Sequence, residues 1–225
     1  MIANEAEARR WLDQLPEWNA EAGARLEQLV ALLKQENTHQ NLISAASMDA
    51  VWLRHVVDSA QLLRLVPRES SSPWLDLGTG AGFPGLVIAA LRPECEVLMV
   101  ESRARRAEWL ERARIALGLE RAKIVAARLE LIPTEPVCVI SARAFAPLPR
   151  LLELSARFST ADTRWLLPKG RSAPQELQEL TGWNHMFHVE HSLTDPEAGI
   201  IAGTLVGKAG APARKTGPQA RKKGR

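Results

Sequence analysis

The chain has 225 residues, 46% of them hydrophobic and 24% charged, with a formal net charge of +3. This composition excludes a disordered or fibrous chain and fits one principal core with a small extension. No apolar stretch approaches the ~20 residues needed to cross a bilayer, and the N-terminus MIANEAEARRW lacks the basic-then-apolar order of a secretory signal, so a cytoplasmic protein with no membrane partner is expected.

The basicity is local. Lys208, Arg214, Lys215, Arg221, Lys222, Lys223 and Arg225 stand in a C-terminal stretch without acidic residues, which leaves 22 basic against 26 acidic side chains over residues 1–207, or about −4. Residues 208–225, rich in Gly, Ala, Pro, Lys and Arg, have almost nothing to bury and are expected to be disordered in isolation. Such a tail adds salt-dependent affinity for RNA or DNA, or serves only as a solubilising end. The two cysteines, Cys95 and Cys138, sit in apolar surroundings without metal-ligand spacing and read as small core residues.

In chain order, residues 5–35 show helical periodicity, with Leu26, Leu29, Val30 and Leu33 on one face. NLISA interrupts the pattern and MDAVWLRHVVDSAQLLRLV resumes it, defining a helical extension over residues 1–66. After the turn-rich PRESSSP the texture changes. The short apolar runs WLDLG, EVLMVE, KIVAA, VCVISA and RWLLPKG are mostly followed by helical stretches, the pattern of a parallel sheet covered on both faces. MFHVEHSL and GIIAGTLVG, joined by TDPEA, read as a closing antiparallel hairpin. Seven strands ending in a hairpin over residues 67–207 are the layout of an α/β, Rossmann-like class I S-adenosylmethionine-dependent methyltransferase domain.

The loop LGTGAGFPG follows the first of these strands, where an open parallel sheet binds its ligand, and Pro84 and Gly85 introduce the next helix. Glycines at 78, 80 and 82 depart from the dinucleotide fingerprint, since Phe83 stands where its third glycine belongs. Asp76, two residues before Gly78, would repel a pyrophosphate but suits the ammonium and sulfonium of S-adenosylmethionine. Glu101, ending the second strand, is placed to accept from ribose hydroxyls, as it would be for NAD. Leu129 and Glu130, after the third strand, fall beside the place of an adenine.

NLISA, RHVVDS, LDLGTGAGFPGLVIA, RAFAPL and LPKG occur in the order and near the spacing found in bacterial small-subunit rRNA guanine-N7 methyltransferases. Over residues 37–205 the chain resembles this family, known as RsmG or GidB. The resemblance implies methylation of N7 of guanine 527 in 16S rRNA with S-adenosylmethionine as cofactor, and 16S rRNA or the small ribosomal subunit as partner. It implies cofactor contacts at Gly78, Phe83, Leu129, Glu130 and Arg143; Asp76, Gly80 and Glu101 complete the expected set. The chain departs from the family in placing Ala142 between Ser141 and Arg143, and in its basic tail.

Guanine N7 has a lone pair and no proton, so its methylation needs in-line positioning and no general base. Arg143 and Lys169, each after a strand, are the candidates to orient the base. Arg54 and Asp58 share a helix face at i, i+4 and read as an ion pair or as contacts to rRNA. His185, His188 and His191 do not read as a metal site, because three-residue spacing in a strand throws successive histidines to opposite faces. Arg103, Arg105, Arg106, Arg112 and Arg114 alternate with Glu108 and Glu111 as a solvated, salt-bridged helix face. The competing readings are a small-molecule methyltransferase, a nicotinamide-dependent oxidoreductase and a non-catalytic ribosome-assembly factor. A monomer is the default expectation.

Overall fold

The structure is a computed structural model and describes residues 1–210, so the tail beyond Gly210 lies outside the described residues. Two capped helices open the chain, α1 (Glu5–Leu12) and α2 (Ala20–Glu36). Asn4 and Asn19 cap them, their side chains each accepting a backbone N–H at 2.9 Å. The helical pattern over 5–35 is therefore carried by two helices. Pro16, with no N–H to continue the ladder, stands in the break, and the cap at Asn19 restarts the helix. Leu26, Leu29 and Leu33 are fully buried, as their periodicity predicts.

The resumed pattern is also irregular. α3 (Ala45–Asp49) leads into a π-helical turn over Trp52–Val57, followed by α4 (Asp58–Ala60) and a tight 3₁₀ turn. Glu5 fixes this entry, accepting from the backbone N–H groups of Leu53 at 2.7 Å and Trp52 at 3.2 Å.

Five parallel strands follow: β1 (Trp74–Leu77), β2 (Val97–Val100), β3 (Ala122–Val125), β4 (Val139–Ala142) and β5 (Arg164–Gly170). The antiparallel end is β6 (Trp183–His185), β7 (His188–His191) and β8 (Gly199–Lys208). The spatial order is β3-β2-β1-β4-β5-β8-β6, with β7 also paired to β8. Eight strands replace the expected seven because the penultimate one starts earlier, shifts register against β8 between Asn184 and His185, and is interrupted between His185 and His188.

Helices α5 (Gly85–Leu91) and α6 (Ala104–Ala116) cover one face of the sheet, and α7 (Leu148–Ser155) covers the other; α8 (Ala173–Gln178) packs near β5, β7 and β8. Alternation along β1 sends Trp74 and Leu75 into different clusters. The N-terminal helices share the Trp74 cluster with α5 and α6, so their apolar faces are buried against the sheet's own covering layer. A buried ion pair reinforces this junction. Arg92, just after α5, donates to Glu17 at 2.8 Å, their side chains only 3% and 6% exposed. Of the cysteines, Cys95 is buried as expected, but Cys138 is only partly buried, because it precedes the four buried residues of β4.

Candidate active site

Strand order reverses between β1 and β4, and the loops leaving their carboxyl ends flank a crevice. β1 delivers the glycine loop. Gly78 has φ +62°, and a Cβ there would come within 2.5 Å of the Phe145 ring, so only glycine fits this contact between the β1 and β4 loops. Side chains beneath the loop hold the rest. Glu101 accepts from the backbone N–H of Gly80 at 3.1 Å and of Arg103 at 2.8 Å, and Trp109 of α6 donates its indole N–H to the Ala81 carbonyl at 3.1 Å.

Asp76 is wholly buried beneath the loop rather than on its open side. Ser141, its register partner on β4, donates to Asp76 Oδ1 at 2.7 Å and accepts from the Trp74 indole at 2.8 Å; Gly85 N–H donates to Oδ2 at 3.0 Å. Burial pushes the Asp76 carboxyl up to about 6, against the lowering effect of Ser141, Thr79 and the Gly85 amide. Its direct partners are thus protein groups, and it supports a ligand through the loop it ties to α5.

Gly78, Leu129 and Glu130 line one pocket of about 190 Å³ with Leu77, Val100 and Phe145. Its walls are largely apolar and it lies at the ends of β1 and β2, with the buried Glu101 between the pocket-lining neighbours Val100 and Ser102. Gly80 belongs to the supported loop, whereas the Phe83 ring turns into the protein, buried and stacked on His55 with centroids 4.8 Å apart.

Arg143 lines two further cavities, one of them together with Phe145. Its guanidinium reaches Asp58 Oδ2 and the Arg54 carbonyl, both at 3.2 Å, and donates to His55 Nδ1 at 3.0 Å. Asp58 therefore pairs with Arg143 and not with Arg54, because the π-helical turn removes the i, i+4 alignment on which the expected pair depended. Burial first, then Arg143 and Arg54, lower the His55 pKa to about 3, so its imidazole is neutral. Ala144, at φ +52°, carries the strained turn between Arg143 and Phe145. Lys169, the other candidate for orienting a base, is buried and occupied: its ammonium donates to the Ala146 carbonyl at 2.6 Å and pairs with Glu176 at 2.9 Å.

Elsewhere several of the histidines and arginines have local partners. His185 stacks on Phe187, His188 pairs with Glu190, Arg114 pairs with Glu111 on α6, and Arg112 crosses to Glu36 of α2. Among the described residues no helix is long and apolar enough to cross a membrane. The partners that sequence reading missed, Trp109 for the loop and Ser141 for Asp76, carry no signal of their own, whereas His55 stands inside RHVVDS, and its contact with Arg143 depends on the fold. Only the parallel pairing of β1 with β4 in the folded sheet sets Ser141 beside Asp76.

The sheet order, the antiparallel last strand and the loop over a buried carboxylate define the class I methyltransferase fold. Solved structures with this architecture include cofactor-bound Rv0187 from MTB, with TM-score 0.61 and 14% identity over 89% of this chain and 97% of that one. Another is Aeropyrum pernix fibrillarin with natively bound S-adenosyl-L-methionine, with TM-score 0.51 and 15% identity over 68% and 75%. The chain belongs to the family described as rRNA small subunit methyltransferase G, or GidB, whose family model matches residues 22–195. It is 54% identical to the ribosomal RNA small subunit methyltransferase G of Novosphingobium aromaticivorans, over 94% of this chain and 93% of the relative, and 54% identical to that of Erythrobacter litoralis, over 90% and 97%.

Proposed function

We propose that the protein methylates N7 of guanine 527 of 16S rRNA in the small ribosomal subunit, using S-adenosylmethionine. Family membership supports rRNA methylation, and the pocket at Gly78, Leu129 and Glu130 is the observation that carries the cofactor assignment. The lining of that pocket suits an adenine: Leu77, Val100, Leu129 and Phe145 offer apolar walls for a flat base, and Glu101 lies at the neighbouring strand end, where ribose hydroxyls would need an acceptor. The Asp76 carboxyl beneath the loop suits a ligand without phosphates better than a dinucleotide, whereas Glu101 suits either.

The bound cofactor supplies a methyl group activated by its positive sulfur. The chain supplies position. Asp76 and Glu101 fix the loop that would receive the cofactor, and Phe145 lines both the pocket that would hold its adenine and a cavity bordered by Arg143. No proton must leave N7, and the site agrees with that requirement: His55, beside Arg143, is too weak a base to carry a proton at neutral pH. In-line alignment of N7 with the methyl group is then the main demand on the protein.

The test is methyl transfer from labelled S-adenosylmethionine to small subunits and to deproteinised 16S rRNA that lack the modification, followed by nucleoside mass spectrometry and mapping. 7-Methylguanosine at position 527 is the expected product. Cofactor binding without methylation of either RNA, or methylation at another atom, would overturn the assignment.

A further inference from the structure

A second cavity, of about 200 Å³, opens at the carboxyl ends of β4 and β5 beside the π-helical turn. Pairing of Gly170 with Gly199 brings the β7–β8 turn to this end of the sheet. Of the four charged residues lining the cavity, Asp58 and Arg143 are engaged with one another. Asp58 accepts from Thr194 at 2.8 Å, Gln61 at 3.0 Å and Arg143 at 3.2 Å, which also occupies the Arg143 guanidinium. Two are not. The Arg54 side chain is exposed and makes no ion pair among the described residues; its contact with Arg143 is through its backbone carbonyl. Asp195 accepts from Glu197 N–H through Oδ1 at 3.0 Å, and Oδ2 has no hydrogen-bond partner among the described residues. Arg54 and Asp195 line the same cavity without pairing with each other.

We propose that this cavity receives the target guanine, with Asp195 accepting from its N1–H and 2-amino group and Arg54 donating to O6. The inference rests on the N7 methylation proposed above. A cavity below the usual size for drug-like ligands suits a single extruded base. A free acceptor and a free cationic donor match the guanine Watson–Crick edge and oppose adenine, which presents a lone pair at N1. Reading that edge leaves N7 uncovered. It also places a carboxylate on the base as N7 methylation makes the purine cationic, so the Asp195 contact strengthens toward the transition state.

Asp195→Asn is the informative variant, because its side-chain oxygen preserves the turn contact to Glu197 while the negative charge is lost. Wild type and variant are assayed on unmodified small subunits and on subunits reconstituted with inosine, which lacks the 2-amino group, at the target position. The expected result is about a 100-fold loss of kcat/KM on guanine for Asp195→Asn, mostly in kcat, with S-adenosylmethionine affinity within twofold of wild type. Inosine should cost the wild type about tenfold and the variant little more than its existing loss. Activity of Asp195→Asn within twofold of wild type, an equal inosine penalty in both enzymes, or a parallel loss of cofactor affinity would each overturn the proposal. If wild type yields no 7-methylguanosine, the N7 assignment fails and takes this proposal with it, an outcome distinct from a wild type that methylates guanine and is indifferent to Asp195.

Discussion

Arg143, leaving the carboxyl end of β4, sets its Nη1 3.2 Å from Asp58 Oδ2 and so ties the sheet to the N-terminal helices at the edge of the site. The two side chains are only 23% and 21% exposed, so solvent screens the pair less than a surface ion pair. Asp58→Asn and Arg143→Gln should each lower stability by about 1 kcal/mol or more, and the double variant should lose less than the sum, with a coupling of about 0.5–3 kcal/mol. Urea unfolding of the four proteins measures the coupling; additivity within about 0.3 kcal/mol would mean that the contact holds nothing together.

Gly78 and Phe145 provide a steric test of the cofactor pocket. Gly78→Ala adds a Cβ that collides with the Phe145 ring and carries the left-handed backbone cost of ~1–2 kcal/mol. S-Adenosylmethionine affinity, read by calorimetry, should fall at least about tenfold, the equivalent of 1.4 kcal/mol. Removing the ring in Gly78→Ala/Phe145→Ala should relieve the collision but not the backbone strain, giving stability between that of Gly78→Ala and that of Phe145→Ala. A Gly78→Ala protein that binds the cofactor as wild type does would contradict the loop geometry.

His55 and Asp76 oppose one another in acid. His55 has a folded pKa of about 3 against 6.5 for the free side chain, so between these values the unfolded chain binds the extra proton and stability falls as pH falls. Asp76, at about 6 against 3.8, binds its proton first in the folded state, so its contribution to stability rises as pH falls from 6 to 3.8. Each slope is at most ~1.4 kcal/mol per pH unit, and over the shared window they cancel. Relative to wild type, His55→Gln should gain stability and Asp76→Asn should lose it as pH drops from 6 to 4. Parallel unfolding curves for all three proteins across that range would refute both assignments.

Glu17 and Arg92 form the buried pair that fastens the N-terminal helices to α5. Glu17→Gln removes one charge and leaves Arg92 buried beside the Leu63 and Val66 carbonyls, which should cost about 3–5 kcal/mol. Glu17→Met/Arg92→Met should recover most of that loss, because no unpaired charge remains. Chemical denaturation distinguishes this from a pair that contributes only through packing, for which the double variant would be the less stable protein.

Local order in the sequence determined the class of this protein. Alternating apolar runs and helical stretches located the strands, TDPEA marked the final turn, and glycines after the first strand marked the crevice, since each pattern reflects the geometry of its own segment. Periodicity also found the buried face at Leu26, Leu29 and Leu33, but it missed the break between α1 and α2, where the Asn19 cap decides the outcome. Tertiary structure alone decided who meets whom. Asp58 turned from Arg54, four residues away, to Arg143, 85 residues away; Glu17 found Arg92, 75 residues away; and Lys169 was absorbed by Glu176. Charge in a sequence gives the sign of an interaction but not its partner, because partners are set by which strand ends and helix faces the fold brings within a few ångströms. For the same reason Arg54 and Asp195, on segments far apart in the chain, came to line one cavity only when the hairpin closed against β5.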